Sequence, residues 1–309
     1  MSTNPFHADP AIPARLALVS AEQREALRRD ALETLQDGVI SAAEARRLVH
    51  EHALNSLRDL MVLLLDTAER YAQPSISDFH VGAVGLASQE GDLILAGNVE
   101  FPGTHLGFTM HGEGSVFTRA MHLGVDISVI AIGEAHPCAH CRQCLAEYAA
   151  SDRLELIDPL GHTLTLAQLY PWPFDPAYLG EQGAVPGREL WPDLKFEMQP
   201  DLPQADLLLE LGRRSHSPYS KCPGALLLQL DDGTWAQGFA IESVAFNPTI
   251  SPIQSAAVDL LSKRYQYASI KAAVLGTVRG GTVDYTASTT ELLSRIAPSA
   301  TLTVLGWQP

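Results

Sequence analysis

Two short stretches constrain what this chain can fold into more than any other part of it. His111-Gly112-Glu113 is followed, after 23 residues, by Pro137-Cys138-Ala139-His140-Cys141. One imidazole and two thiols make a zinc-type ligand set, and a tetrahedral ion with three protein ligands keeps one position open for water. That is the catalytic pattern, whereas a closed structural site takes four. Glu113 stands two residues from His111, where a carboxylate can carry protons without ligating. The fold must therefore bring two separate segments to one point.

Bulk properties fit a small-molecule enzyme. The 309 residues suffice for two ordinary domains, and 46% hydrophobic against 18% charged residues allows sizeable cores. A formal charge of −15 repels phosphate backbones, and no Lys/Arg run reverses it locally. Nucleic acid is therefore not the expected partner. Cys138, Cys141 and Cys144 crowd together while Cys222 stands alone, a distribution that suits metal binding better than disulfides. The first residues show no basic and apolar signal pattern, and the run Leu60 to Leu65 is far short of the roughly 20 residues that span a bilayer. A cytoplasmic location without membrane contact is the expectation.

Along the chain, residues 1–18 read as a loose lead-in. Ser20-Ala21-Glu22-Gln23 forms a capping box that opens a helix to about residue 35, and Ser41-Ala42-Ala43-Glu44 opens a second. Helical spacing predicts a third over 57–71. Residues 79–87 and 92–98 read as a hairpin, 113–123 as a helix, 125–132 as a buried strand and 138–150 as a helix. Both cysteines then lie near a helix N-terminus, where the dipole favours thiolate. Six prolines between residues 158 and 192 mark a linker, and a helix over 203–214 follows it.

The remainder reads as a second copy. Gly224-Ala225 matches Gly82-Ala83 at an offset of 142, and Val244-Ala245-Phe246-Asn247 echoes Val99-Glu100-Phe101-Pro102 at 145. At that second offset His111 falls on Ala256 and Glu113 on Val258, so the copy holds fold elements without ligands. A helix over 254–263, a strand over 271–277 and a helix over 288–296 repeat the order. The expected division is an N-terminal helical region (1–55), a catalytic domain (56–157), a Pro-rich linker (158–195) and a degenerate non-catalytic domain (196–309).

Taken together, Phe79-His80-Val81-Gly82-Ala83, Gly97-Asn98-Val99-Glu100-Phe101, the two zinc stretches with Arg142-Gln143, and Ala245-Phe246-Asn247-Pro248 resemble the long, two-module cytidine deaminases. The resemblance implies an α/β fold: a three-layer helix/sheet/helix domain, duplicated, with a small N-terminal helical region. It implies zinc held by His111, Cys138 and Cys141, with Glu113 as the catalytic proton carrier. Asn98 and Glu100 would grip the ribose and Phe79 would pack on the pyrimidine. A homodimer is implied, in which the partner's C-terminal module, through Phe246, helps to close the site. Cytidine or deoxycytidine would lose ammonia to a zinc-activated hydroxide, giving uridine or deoxyuridine in pyrimidine salvage. Gly112 and Gly114 depart from the family's usual Ala and Gln, and Cys144 from a larger apolar residue; a small loosening around Glu113 is expected.

The same residues admit other readings. Cys144 would complete a four-ligand structural site, although a place in the core is the simpler role. Arg142 is a candidate to offset thiolate charge. His80, His105, His122 and His136 read as surface or supporting residues. Other functions for the same signature are a deaminase acting on another base or on nucleic acid, or a zinc-stabilised binding protein without activity.

Overall fold

The protein is described from a computed structural model covering residues 10–133 and 137–309. The first sheet has the order β1-β3-β2-β4-β5-β6, built from β1 (Val39–Ile40), β2 (Gly82–Ala87), β3 (Leu93–Gly97), β4 (Ile127–Ile132), β5 (Glu155–Ile157) and β6 (Thr163–Thr165). The β4–β5 pair is parallel and the other pairs are antiparallel. Strand alternation divides this sheet between two cores. Val84, Leu95, Val129 and Ala131 face the N-terminal helices α1 (Ala11–Ala17), α2 (Ala21–Thr34), α3 (Ala42–Glu51), α4 (Leu57–Leu63) and α5 (Leu65–Ala68). Ala83, Ile94, Ala96 and Ile130 face α6 (Gly112–Leu123) and α7 (Ala139–Ala146). Helix, sheet and helix form three layers, as the resemblance implied.

Several local expectations change. α1 occupies part of the supposed lead-in, with Pro13 in its first turn where proline does little harm. The helix expected over 57–71 breaks at Leu64 and ends as a 3₁₀ turn, Glu69–Tyr71. Its apolar periodicity continued through the break because both pieces cover the same sheet. Strand β2 begins only at Gly82, and α7 stops at Ala146 rather than near 150. The sheet also takes its edge strands from outside residues 56–157: β1 precedes that stretch and β6, followed by α8 (Leu166–Leu169), comes after it.

A second sheet has the order β7-β11-β10-β8-β9, from β7 (Lys195–Phe196), β8 (Ala225–Leu230), β9 (Trp235–Phe239), β10 (Ile270–Thr277) and β11 (Thr301–Gln308). Around it pack α9 (Ala205–Arg214), α10 (Pro252–Ser262) and α11 (Thr286–Ile296). Its β9-β8-β10-β11 ribbon repeats β3-β2-β4-β5, including the one parallel pair.

Hydrogen bonds set the register between the copies, and it differs from the one read by residue likeness. Val99 bridges Gln73 and Met110, while Ile241 bridges His216 and Ile250 in the same senses. Asp78 and Lys221 both take a left-handed φ (56° and 57°) in the matching turn. His111 therefore corresponds to Ser251, not Ala256, and Glu113 to Ile253, not Val258; Ser251 and His111 are the N-caps of α10 and α6. Glu100 corresponds to Glu242. Each glutamate accepts two successive backbone N–H groups, those of Ile76 and Ser77 or those of Tyr219 and Ser220. The Val-x-Phe likeness at offset 145 misled because the copy is shorter, not longer, after the ladder position (250 − 241 against 110 − 99).

Candidate metal centre and active site

Two helix starts converge at the site. His111 caps α6 in an extended conformation (φ −88°, ψ 159°) with no cap hydrogen bond from its side chain, so the imidazole turns away from its own helix. Cys138 caps α7, its sulfur accepting the Cys141 N–H at 3.4 Å. His111 Nδ1 lies 3.2 Å from Cys141 Sγ and 3.5 Å from Cys138 Sγ, and the two sulfurs are 3.5 Å apart. Tetrahedral zinc, with bonds of about 2.3 Å to sulfur and 2.0–2.1 Å to nitrogen, needs ligand–ligand edges of about 3.4–3.8 Å. The donor set fits that ion in number and kind; two of its edges fall in that range, and the His111–Cys141 edge is slightly short of it. Among the described residues, these three are the His, Cys, Asp or Glu group whose ligand atoms lie close enough together.

The thiols carry a second sign of the same fit. Cys138 falls to about 4 because the Cys141 thiol donates to it; the backbone N–H groups of Cys141 and His140 assist, and burial opposes. Cys141 is pushed far up by that same hydrogen bond and by burial. The two sulfurs pull each other's protonation in opposite directions, and a dication between them would favour both as thiolates. Cys144 is buried in the core and raised to about 12, chiefly by burial, which suits a packed thiol rather than a fourth ligand. Arg142 does not offset the sulfur charge by hydrogen bonding: its Nε donates to Pro137 O at 2.8 Å and its Nη1 to Leu169 O at 2.9 Å.

Glu113 follows His111 into the first turn of α6 and is 5% exposed. Burial raises its carboxyl above the ordinary value; its own backbone N–H, the charge of His111 and the Cys141 thiol pull the other way without cancelling this. A Cβ at Gly112 would lie 3.0 Å from Ala83 Cβ, so glycine lets α6 sit close over β2, whereas Gly114 has open space beyond Met110 at 3.8 Å. The glycines do not break the helix around Glu113.

The remaining predicted residues divide into two groups. Asn98 is buried; its Oδ1 accepts the Val81 N–H and its Nδ2 donates to Phe79 O, both at 2.9 Å. Glu100 accepts the N–H groups of Ile76 and Ser77 at 2.9 and 2.8 Å, and the Ser77 hydroxyl at 2.6 Å. Burial works to raise Glu100, but those bonds and His111 outweigh it and hold the carboxyl low. Together the two side chains shape the turn that presents Phe79, whose ring is 61% exposed. The Val99–Met110 bridge sets this turn beside His111. Phe246 stands apart, 63% exposed, at a left-handed φ of 61° and packed on Tyr219 with ring centroids 6.3 Å apart.

His80 and His105 are exposed. His122 is buried between modules, 2.7 Å from Ser255 Oγ, and belongs to the core rather than the surface. His136 lies outside the described residues. Sequence reading missed Glu242, although the offset of 142 seen at Gly82 and Gly224 leads from Glu100 straight to it. It also missed Tyr285, whose ring packs so tightly on Gly224 that a Cβ there would lie 2.4 Å away. That aromatic fills the second module beside α10, in line with Ser251 and Ile253 standing where ligand and carboxylate would be.

Comparison with known proteins accords with this geometry. Models of the cytidine and deoxycytidylate deaminase zinc-binding region match residues 54–154 and, separately, 196–290. A cytidine deaminase of Shewanella frigidimarina is 32% identical over 84% of this chain and 86% of its own length. One from Aliivibrio fischeri is 31% identical over 86% and 88%, and one from Vibrio atlanticus 32% over 80% and 82%. Likeness of that extent, carried through both copies of the fold, shows that the chain belongs to the cytidine and deoxycytidylate deaminase family, as a two-module, zinc-binding member.

Proposed function

We propose that this protein hydrolyses cytidine and deoxycytidine to uridine and deoxyuridine, releasing ammonia, as a step in pyrimidine salvage. The observation that carries it is the placement of buried Glu113 at the same helix start as His111, facing the Cys138–Cys141 pair. Zinc held by His111, Cys138 and Cys141 supplies Lewis acidity that makes water nucleophilic near neutral pH. Glu113 takes one proton from the attacking water and delivers it to N3 of the pyrimidine. As the new C4–O bond forms, C4 becomes tetrahedral. Glu113 then carries the second water proton to the 4-amino group, the C4–N bond breaks, and ammonia leaves.

The Phe79 turn serves as the nucleoside cradle in this reading. Asn98 retains one N–H and one lone pair, and Glu100 one acceptor position, after their structural bonds. Replacing Glu100 by Gln leaves its amide oxygen to accept the Ile76 and Ser77 N–H groups, which both go to Oε2, but sets an amide NH2 where Oε1 had its free acceptor position for a ribose hydroxyl. A charged hydrogen bond is worth about 1.5–3 kcal/mol, so KM for cytidine should rise by about 10-fold or more, with kcat changed less; an unchanged KM refutes the assignment.

Residues 56–157 form the catalytic unit and 196–309 a non-catalytic one, supported by Ser251, Ile253 and Tyr285. Exposed Phe79, Leu106 and Phe246 support a homodimer in which the partner's second module covers the site. Light scattering should then give twice 33.4 kDa. Cysteines used as metal ligands and core thiols rather than in disulfides fit a cytoplasmic setting, and no helix among the described residues is long and apolar enough to cross a membrane.

Zinc content and the loss of cytidine absorbance on one sample test the function together. One zinc per chain with turnover is expected. Turnover of cytosine only within an oligonucleotide favours a nucleic-acid deaminase, and zinc without turnover favours a binding protein.

A further inference from the structure

The second module has no ligand set of its own, yet its polar groups reach the segments that carry the first module's ligands. Glu147 ends α7, the helix whose first turn bears Cys138 and Cys141. Its carboxylate is buried, and its described hydrogen-bond partners all belong to the second module. Oε1 lies 2.8 Å from His216 Nε2 and accepts the Tyr219 hydroxyl at 2.7 Å, while Oε2 accepts the Val244 N–H at 2.7 Å.

Gln254 does the corresponding work at the other ligand segment. From the first turn of α10, its Nε2 donates to Phe108 O at 3.0 Å and stands 3.7 Å from the Met110 sulfur. Its Oε1 meanwhile closes the capping box with Ser251. Phe108 and Met110 lead directly into His111. Between the modules a cavity of about 20 Å³ has His111 and Cys141 on one wall and Pro248, Ile250 and Gln254 on the other.

A three-ligand site works only if its donor atoms are held close to their final places before the ion arrives. α7 has 8 residues, too few to be stable unsupported. Its remaining side-chain anchors run elsewhere: Arg142 to the carbonyls of Pro137 and Leu169, and Gln143 to the backbone of Phe174. A buried carboxylate is stable only with its donors in place, so Glu147 ties the end of α7 to the loops of the second module.

We propose that the second module positions the zinc-ligand set of its own chain, with Glu147 and Gln254 as the positioning residues. The proposal rests on the zinc reading of His111, Cys138 and Cys141 but not on which substrate is turned over.

Two variants test it in the full-length protein. Gln254→Glu keeps the capping box, in which glutamate serves as well, and sets an oxygen against Phe108 O where a donor stood. Tyr219→Phe removes one donor from Glu147 and leaves the ring in place. Zinc release from loaded chains into excess EDTA is followed alongside the melting temperature of the zinc-free forms. Release about 10-fold faster than in the parent is expected in each variant, the lower bound for partners that orient ligands, without a matching fall in melting temperature. Release within twofold of the parent, or release that merely follows a fall in melting temperature, overturns the proposal. A parent chain that holds no zinc overturns the zinc reading with it, whereas a chain that holds zinc but ignores cytidine overturns only the proposed function.

Discussion

Glu113→Gln should retain zinc and lose about 10²–10⁴-fold in kcat for cytidine, the range for a positioned proton carrier. Glutamine keeps the volume of the side chain, so the close seat of α6 over Ala83 survives and the ligand triangle is undisturbed. What disappears is the group that must accept a proton from water and yield it to the ring and then to the amine. Each tenfold corresponds to about 1.4 kcal/mol of transition-state stabilisation, so the expected loss is about 3–6 kcal/mol, from one atom's change in basicity. Burial at 5% exposure matters here, because bulk water cannot substitute as carrier. Zinc measured on the same sample separates this loss from loss of the metal. An unchanged rate with zinc in place would remove Glu113 from the mechanism.

The largest effect on stability should come from Asp259→Ala, expected to cost about 3–5 kcal/mol, the usual result of breaking a buried ion pair from one side. Asp259 on α10 pairs with Arg119 on α6, accepts Lys263 Nζ at 2.8 Å and the Gln237 N–H at 2.9 Å, and lies 4.0 Å from His122. Arg119 already has one buried nitrogen, Nε, without a partner, so losing the carboxylate leaves its charge stranded. Urea denaturation of the zinc-loaded protein checks the figure, and a loss under 1 kcal/mol would contradict it.

The same cluster sets an acid limit. Burial drives His122 down from 6.5 to about 3, with the cations Arg119, Arg214 and Lys263 also lowering it and Asp259 opposing. The unfolded chain therefore binds a proton at His122 below pH 6.5 while the folded chain refuses it until about 3, so stability falls as pH drops through that window. Burial favours protonated Asp259, but His122, Arg119 and Lys263 outweigh it and lower the group below 3.8. Its contribution is complete above that value and is lost on further acidification. The contribution of this cluster should be level above pH 7 and decline steadily below it.

Much of the site was legible because its chemistry is local in sequence. His111-x-Glu113 and Cys138-x-x-Cys141 each sit at a helix start, and helix starts follow from short-range rules of capping and turn composition. The capping box at Ser20 formed as read, for the same reason. Strands β5 and β11 were not legible, since each gains its place from a parallel neighbour distant in sequence. The correspondence between the copies also went astray at Ala256. Residue likeness weighs side chains, whereas register is decided by backbone bonds such as Val99 with Met110 and Ile241 with Ile250.

Glu147 shows the limit most clearly. In the sequence it is one more polar residue near the end of a helix; in the fold it is a buried carboxylate holding His216, Tyr219 and Val244. The sequence by itself determined which ion this protein suits and set a carboxylate, Glu113, two residues from His111, because ligand types and their spacing are chemical facts of the chain. Only the tertiary structure decided that Ser251 and Ile253 stand in their places in the second copy, and that Glu147 and Gln254 bond across to the other copy. Buried polar partners are chosen by proximity after the sheets pack, and the spacing of residues along the chain carries no record of that distance.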